Sequence, residues 1–291
     1  MIHVEALSYR YPRATVDAVR GISFSVGKGE VFGFLGPSGA GKSTTQKILM
    51  GSLAGYRGSA VTGGVEAGRA DGSFRASIGV AFEFPCFYQK LTGMENLLLF
   101  SSLYPGPKDE PRALLDRLGL GEAADRRVGE YSKGMKMRLN LARALIHRPR
   151  MLFLDEPTSG LDPANARTVR ELVLERAASG AAVFLTTHDM AAADALCDRV
   201  AFLVDGCIAA CEAPAALKRR YGRQAVVVEH ATPVGTPGGM PAAAPVEFPL
   251  AGLADNPAFL AELRKPGLVG VHTLDATLDR IFLELTGKEL A

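Results

Sequence analysis

The sequence predicts an α/β fold: a mixed sheet with an N-terminal antiparallel β part, an all-helical insertion and a small C-terminal appendage. Three observations predict it. A glycine-rich loop, Gly36-Pro37-Ser38-Gly39-Ala40-Gly41-Lys42-Ser43, stands between an apolar run and a helical pattern. Two later apolar runs, 151–154 and 182–186, lead into polar residues, as buried parallel strands do where they open onto a crevice. Residues 84–148 lose the strand pattern and read as helices.

The elements follow in chain order. Residues 1–35 are β-rich: Ile22-Ser23-Phe24-Ser25-Val26 alternates, Gly27-Lys28-Gly29-Glu30 turns, and Val31-Phe32-Gly33-Phe34-Leu35 reads as a buried strand. A helix from Ser43 to Met50 presents Ile48 and Leu49, with Leu53 beyond it. Residues 51–75 are glycine-rich and carry little signal, and 78–82 form a short buried strand. Thr92-Gly93-Met94-Glu95 has capping-box spacing before an apolar helical run through Leu103. A second helix covers 111–118 with proline at its start. A third begins after Ser132 and ends near His147, with Met135, Leu139, Ala142 and Ile146 as its apolar face. The β/α rhythm then resumes, with strands at 151–154 and 182–186 around a helix at 164–178. Residues 200–204 and 207–211 flank Asp205-Gly206 as a hairpin. Residues 231–249, dense in Pro, Gly and Ala, predict a flexible linker, followed by short helices at 258–264 and 278–285.

The chain has 291 residues, 47% hydrophobic and 22% charged, enough for one large α/β domain and an appendage. A net charge of +2 points to neither a nucleic-acid nor an acidic partner. No apolar run reaches the ~18 residues of a membrane span. Met1-Ile2-His3-Val4-Glu5 lacks the basic and apolar regions of a signal peptide, so a cytoplasmic location is expected. Cys86, Cys197, Cys207 and Cys211 form no C-x-x-C pair. The spacing of Cys207 and Cys211 leaves a metal open, but small buried thiols in a reducing compartment are the favoured reading.

The glycine-rich loop, with Thr44 after it, fits G-x-x-x-x-G-K-[ST]. Glycines let successive N–H groups curl toward phosphate oxygens at a helix N-terminus, where the dipole favours anions. Lys42 supplies a point charge for β- and γ-phosphates, and the Ser43 hydroxyl suits Mg²⁺. Leu154-Asp155-Glu156 ends a buried strand in two carboxylates. Asp155 suits the metal's shell through water, and Glu156 suits a general base for the attacking water. An isolated Asp-Glu pair would be read as a helix cap; after a phosphate loop it is read as chemistry. Thr187-His188-Asp189 follows the next strand, which brings His188 to the same crevice, against the γ-phosphate. Tyr131-Ser132-Lys133-Gly134-Met135 opens a helix with Ser132 as N-cap. Locally this is an ordinary capped helix, or a second phosphate site.

Together these motifs resemble the ATP-binding subunit of an ATP-binding-cassette (ABC) transporter, over roughly residues 2–220 and in that family's order. Residues 36–44 resemble its Walker A motif and 151–156 its Walker B motif; Tyr131 to Met135 falls at its L-S-G-G-Q signature. Ser159-Gly160-Leu161-Asp162 resembles the D-loop, His188 the switch histidine, and Tyr11 the aromatic that stacks on adenine. The signature departs from the pattern at Tyr131, Lys133 and Met135, a variant similar to export-type, ABC-2-like subunits, and keeps the phosphate-contacting Ser132 and Gly134. Glu83 stands where the family has glutamine; a carboxylate still accepts hydrogen bonds and binds near Mg²⁺, but does not donate when ionised.

The resemblance implies a P-loop NTPase core of ABC type over 1–222, with a helical subdomain at 84–148, and a linker and accessory domain over 223–291. It implies that MgATP is clamped between two copies, the loop of one facing the signature of the other, so that hydrolysis weakens the pairing and moves a partner. The partners implied are a second ATPase subunit, a homodimer being expected, and separate transmembrane permease subunits, with no nucleic acid. The expected place is the cytoplasmic face of the cell membrane. Glu156, His188 and Glu83 are the expected catalytic set. Ser43, Asp155 and Glu83 would serve the metal. Phe84, Phe87 and Tyr88 would line the groove that receives a helix of the membrane subunit, or simply pack within the insertion. Residues 278–287 resemble the ending of export-type subunits. A soluble ABC protein acting on ribosomes or DNA is the rival class. A single cassette, and the short separation of Lys42 from Asp155, disfavour it. A silent nucleotide-binding module is disfavoured by Glu156 and His188.

Overall fold

The computed structural model describes residues 1–222, 225–230, 245–274 and 276–288. The chain opens with β1 (Ile2–Tyr9), β2 (Val19–Val26) and β3 (Val31–Leu35), then α1 (Lys42–Leu49). Residues with little sequence signal form β4 (Arg57–Thr62), β5 (Val65–Glu66) and α2 (Gly72–Ser77), leading into β6 (Ile78–Ala81). The helical insertion holds α3 (Gly93–Ser102), α4 (Pro111–Arg117) and α5 (Lys133–Leu145). There follow β7 (Met151–Asp155), α6 (Pro163–Ala178), β8 (Ala182–Thr187), α7 (Met190–Leu196), β9 (Arg199–Val204), β10 (Cys207–Glu212) and α8 (Pro214–Tyr221).

A four-stranded antiparallel sheet has the order β2-β1-β4-β5. The six-stranded sheet runs β10-β9-β3-β8-β7-β6; β9 through β6 are parallel, and β10 is an antiparallel edge joined to β9 by the expected hairpin. The strand that carries the glycine-rich loop, β3, therefore lies beside β8, and β8 beside β7.

Phenylalanines lock the two sheets together. Phe32 and Phe34 are two apart on β3 and so share one face. There Phe24 of β2 meets them at ring-centroid distances of 5.4 and 4.9 Å, and Phe184 of β8 meets Phe34 at 5.1 Å. Burying each such ring is worth roughly 1.5–3 kcal/mol. Gly33 occupies the opposite face, where a Cβ would stand 2.7 Å from Cys197 Sγ at the end of α7. Its bare backbone lets that helix close on the sheet.

The insertion starts with the capping box read from the sequence: Thr92 Oγ1 accepts from Glu95 N–H at 3.1 Å, and Glu95 accepts from Thr92 N–H at 2.7 Å. Helix α5 buries Leu139, Ala142 and Ile146 as expected, but also Met137, Leu141 and Leu145. It is apolar on two sides because it packs on both α3 and β6.

The chain divides into two compact units, Met1–Pro214 with the segment from Leu285, and Ala215–Glu284. The second holds β11 (Ala225–His230), β12 (Val246–Pro249), α9 (Pro257–Leu263), β13 (Leu268–Leu274) and most of α10 (Leu278–Thr286). Its sheet has the order β12-β11-β13 and is antiparallel. Val226, Val228, Phe248 and Phe259 form its core. Most of the expected linker, residues 231–244, lies outside the described residues; its end, Val246–Pro249, is a strand instead. Those four residues carry Val and Phe, and they find a partner edge in β11.

Candidate nucleotide-binding site

Two glycines of the loop between β3 and α1 are required by space. At Gly41, the N-cap of α1, φ is +107° and a Cβ would lie 2.4 Å from Ala18 O. At Gly36 a Cβ would lie 2.1 Å from Leu203 O. Any side chain at either position would force the loop away from β9 or from the start of β2. Lys42 Nζ donates to Gly36 O at 2.6 Å and to Pro37 O at 3.0 Å, holding the ammonium across the mouth of the loop. Burial pushes the Lys42 ammonium down from its usual range, while the carboxylates of Glu156, Asp155 and Glu83 pull it back up.

A cleft of about 460 Å³ opens here. Ser38, Gly39, Ala40, Gly41, Lys42, Ser43 and Thr44 form one wall; Tyr11, Ala18, Glu83, Asp155, Glu156 and His188 form the rest. Gly36 and Pro37 act on the cleft only through the carbonyls that hold Lys42. Tyr11 Oη lies 3.1 Å from Thr44 Oγ1 and its ring rests edge-on against Tyr9. Ser132 and Gly134 are not in this cleft. Ser132 caps α5, accepting from Met135 N–H at 3.2 Å, and Gly134 lies against Leu161, where a Cβ would meet Cδ2 at 3.3 Å. The two groups of phosphate-binding candidates thus occupy different surfaces of one chain. Tyr131 is buried and donates from Oη to Ala123 O at 2.6 Å; a Cβ on Gly93 would strike that oxygen.

Asp155 and Glu156 differ sharply in environment. Burial pushes the Asp155 carboxyl up; the Thr186 hydroxyl bonded to Oδ1 holds it down, Glu156 pushes it up, and Lys42 and Lys47 draw it down. Glu156 is only 8% exposed and takes three hydrogen bonds: from Thr187 Oγ1 at 2.8 Å, His188 N–H at 2.9 Å and His188 Nδ1 at 2.7 Å. Its φ of +50° is left-handed, a costly conformation for a non-glycine residue. Those three bonds, and its own N–H bonded to Thr186 O at 2.9 Å, hold it there. Thr187 has no role in the sequence reading; only the contact across two strands reveals it. Glu83 is half-buried, and its carboxylate has no hydrogen bond or ion pair among the described residues. The oxygens gathered here, from Ser43, Asp155 and Glu83, are hard donors.

Helix α5 is fastened to the chain on both sides of Glu83. Asn140 Nδ2 donates to Phe82 O at 2.7 Å, and Arg143 donates to Cys86 O at 3.1 Å and to Asn140 Oδ1 at 2.6 Å. The Arg143 guanidinium lies 5.1 Å from the Phe87 ring centroid and 5.0 Å from that of Phe100. Phe87 is therefore buried packing, whereas Phe84 and Tyr88 are 78% and 57% exposed.

A larger hollow, about 800 Å³, lies at the opposite ends of β7 and β8. Its arginines are largely spent: Arg148 and Arg176 on Asp109, and Arg117 on Glu175.

Comparison with known proteins agrees with this geometry. A family model described as ABC transporter matches residues 19–159. The fluoroquinolones export ATP-binding protein of Mycobacterium tuberculosis (strain CDC 1551 / Oshkosh) is 51% identical over 290 residues, covering 100% of this chain and 94% of that protein. A solved ATP-binding subunit of an ABC transporter superposes with a TM-score of 0.70 at 29% identity, over 76% of this chain and 93% of that one. A dimeric ATP-binding cassette in a post-hydrolysis state, bound to ADP and Pi, gives 0.63 at 25% identity, over 73% and 98%. This chain belongs to the ABC transporter family, as an ATP-binding subunit whose ATPase activity is coupled to transport.

Proposed function

We propose that this chain hydrolyses MgATP as a pair of identical copies and so drives export through separate membrane-spanning subunits. One observation carries the reading: the phosphate loop, two strand-end carboxylates, a histidine and an exposed tyrosine line one cleft. In this reading Tyr11 stacks on adenine, residues 36–44 hold the phosphates, and Glu156 takes the proton of the attacking water. His188 and Glu83 face the γ-phosphate. Ser132 and Gly134 of the second copy close the site, which accounts for their place outside this cleft. The ATPase activity belongs to residues 1–222, and 223–291 form the accessory part.

Mg²⁺ fits the donor set. Among the described residues no group of three His, Cys, Asp or Glu side chains is arranged to hold a metal by itself. Mg²⁺ needs no such cage, since it binds through one or two carboxylates with substrate phosphates and keeps its waters. Ser43, Asp155 and Glu83 would hold it, and its charge would stabilise the phosphoryl oxygens during transfer.

No helix of the described residues is long and apolar enough to cross a membrane. In this reading the chain works at the cytoplasmic face, docked to its membrane subunits by Phe84 and Tyr88, which are exposed. Cargo is selected by those subunits. Similarity along the whole chain to a fluoroquinolones export subunit makes fluoroquinolones the first cargo to test.

The experiment is phosphate release by the purified full-length chain with MgATP, alone and with its membrane subunits, alongside its mass with and without nucleotide. Turnover and ATP-dependent pairing are expected. A monomer that releases no phosphate even with the membrane subunits rules the reading out.

A further inference from the structure

Gln46, 2% exposed, is the largest polar side chain that α1 buries, alongside Thr44, Thr45, Ile48 and Leu49. Its carboxamide meets Thr186 of β8, which is fully buried. Thr186 Oγ1 lies 3.2 Å from Gln46 Oε1, within hydrogen-bond reach of Asp155 Oδ1, and 3.5 Å from Leu154 O. Gln46 Nε2 is buried without a partner among the described residues. The register of the parallel ladder sets Thr186 directly beside Asp155.

A threonine hydroxyl has one proton to give. It goes to the ionised carboxylate of Asp155, the nearer and stronger acceptor. The Thr186 oxygen is then left as an acceptor toward Gln46, and an amide carbonyl has nothing to donate. The two ends of a carboxamide have nearly the same shape and exchange by a half-turn. That half-turn sets Nε2 3.2 Å from Thr186 Oγ1 and removes a buried donor that has no acceptor. A carbonyl takes its place, and unpaired buried carbonyls are tolerated better than unpaired N–H groups.

We propose that Gln46, Thr186 and Asp155 form a directed hydrogen-bond relay, Nε2–H to Oγ1 and Oγ1–H to Oδ1, that fixes the Asp155 carboxylate for the metal shell. Oδ1 is held, and Oδ2 has no hydrogen-bond partner among the described residues. The relay starts on α1, whose first turn carries Ser43. It therefore sets the spacing between a hydroxyl on α1 and a carboxylate at the end of β7. Gln46 and Thr186 reach neither solvent nor nucleotide, so they are positioning residues. The relay rests on the reading of Asp155 as a metal-organising group.

The test uses the full-length chain and Mn²⁺ as a spin probe for the Mg²⁺ site, titrated by electron paramagnetic resonance with ATP bound in the Glu156→Gln background. Thr186→Val, which keeps shape and removes the hydroxyl, is expected to weaken Mn²⁺ binding about tenfold, and Gln46→Leu about threefold. Because Gln46 acts through Thr186, adding Gln46→Leu to Thr186→Val should change nothing further. Thr186→Ser should restore binding to within about twofold, and ATP affinity in EDTA should be unchanged throughout. Effects of the two substitutions that simply multiply, or Mn²⁺ binding untouched by either, overturn the relay. If Thr186→Val does not fold, Gln46→Leu and Gln46→Met carry the test. Asp155→Asn separates the two ideas: no loss of Mn²⁺ there defeats the metal reading itself, whereas loss there with Thr186→Val harmless defeats only the relay.

Discussion

His188 and Glu156 are joined twice: the backbone N–H and the ring Nδ1 of His188 both reach Glu156 Oε1, at 2.9 and 2.7 Å. A carboxylate only accepts, so Nδ1 carries the proton and Nε2 is the ring atom left for other work. Histidine and glutamate therefore move as one unit at the end of two neighbouring strands.

That unit predicts the behaviour of Glu156→Gln. The amide oxygen can keep both bonds from His188, and the amide nitrogen can donate to Thr187 Oγ1 in place of accepting from it. The variant should fold and bind ATP, yet lose the base. Phosphate release should fall by about a hundredfold or more, and the ATP-bound pair should accumulate on size-exclusion chromatography. Turnover near that of the unsubstituted chain would remove Glu156 as the base.

Lys42→Ala should weaken ATP binding. Its ammonium faces three carboxylates across the cleft, and without it their repulsion toward phosphate is unopposed. A loss of about 2–3 kcal/mol is expected from charge-assisted contacts, or roughly 30- to 150-fold in Kd. Calorimetric titration reads it directly. An unchanged Kd would mean that backbone N–H groups alone hold the nucleotide.

The core of the site was legible because its residues interrupt otherwise apolar strands. Val31 to Leu35 stops at a glycine loop, and Met151 to Leu154 stops at Asp155 and Glu156, so the polar ends stood out locally. The Thr92–Glu95 capping box is legible for the same reason. Contacts between distant segments are not. Nothing local separates Phe87 from Phe84, and only the approach of Arg143 and Phe100 buries one and leaves the other exposed. The partnership of Gln46 with Thr186 depends on α1 meeting β8. Strand β4 escaped because only Ala60 and Thr62 on it are buried, too little apolar pattern to announce a strand. Its place comes from backbone pairing with β1.

The exposed pair Phe84 and Tyr88 predicts a separation of activities. Replacing both with alanine removes mainly surface that faces solvent, the Tyr88 ring giving up only its tilted contact with Phe100 at 6.3 Å, so the isolated chain should nearly keep its thermal midpoint and keep its ATPase rate. Co-purification with the membrane subunits, and transport in vesicles, should fall together. A matching fall in the rate of the isolated chain would assign these rings to the packing of the insertion.

Tyr56 and Glu66 predict an alkaline weakness. Tyr56 donates to Glu66 Oε1 at 2.5 Å and accepts from Gly68 N–H at 2.8 Å. Burial, then the bond to Glu66, push the phenol up to about 12. A folded-state value above the unfolded one means that the protonated phenol stabilises the fold. That contribution is complete below about pH 10 and is lost as pH rises toward 12. Unfolding free energies from urea titration of the unsubstituted chain and Tyr56→Phe should differ by about 1 kcal/mol at pH 8, and the Tyr56 advantage should disappear as pH rises from about 10 toward 12. A constant difference at every pH would show that the hydroxyl's titration is not the cause.

Arg143 ties α5 to the chain just beyond Glu83 without touching the nucleotide cleft. Burial pushes its guanidinium down from the usual range, so its charge is held by carbonyl oxygens and two ring faces. Arg143→Ala strands the acceptors of Cys86 and Asn140 and empties the space between Phe87 and Phe100. A loss of about 2–3 kcal/mol is expected from charged hydrogen bonds and ring contacts, seen as a fall of several degrees in Tm. Arg143→Lys keeps the charge but not the fork that reaches both oxygens, so it should recover only part of that stability. If Glu83 and the start of α5 are coupled through this fastening, Arg143→Lys should retain ATP binding while slowing turnover more than its lost stability explains. Equal ATPase rates for Arg143→Lys and the unsubstituted chain, at a temperature where both are folded, would confine Arg143 to packing.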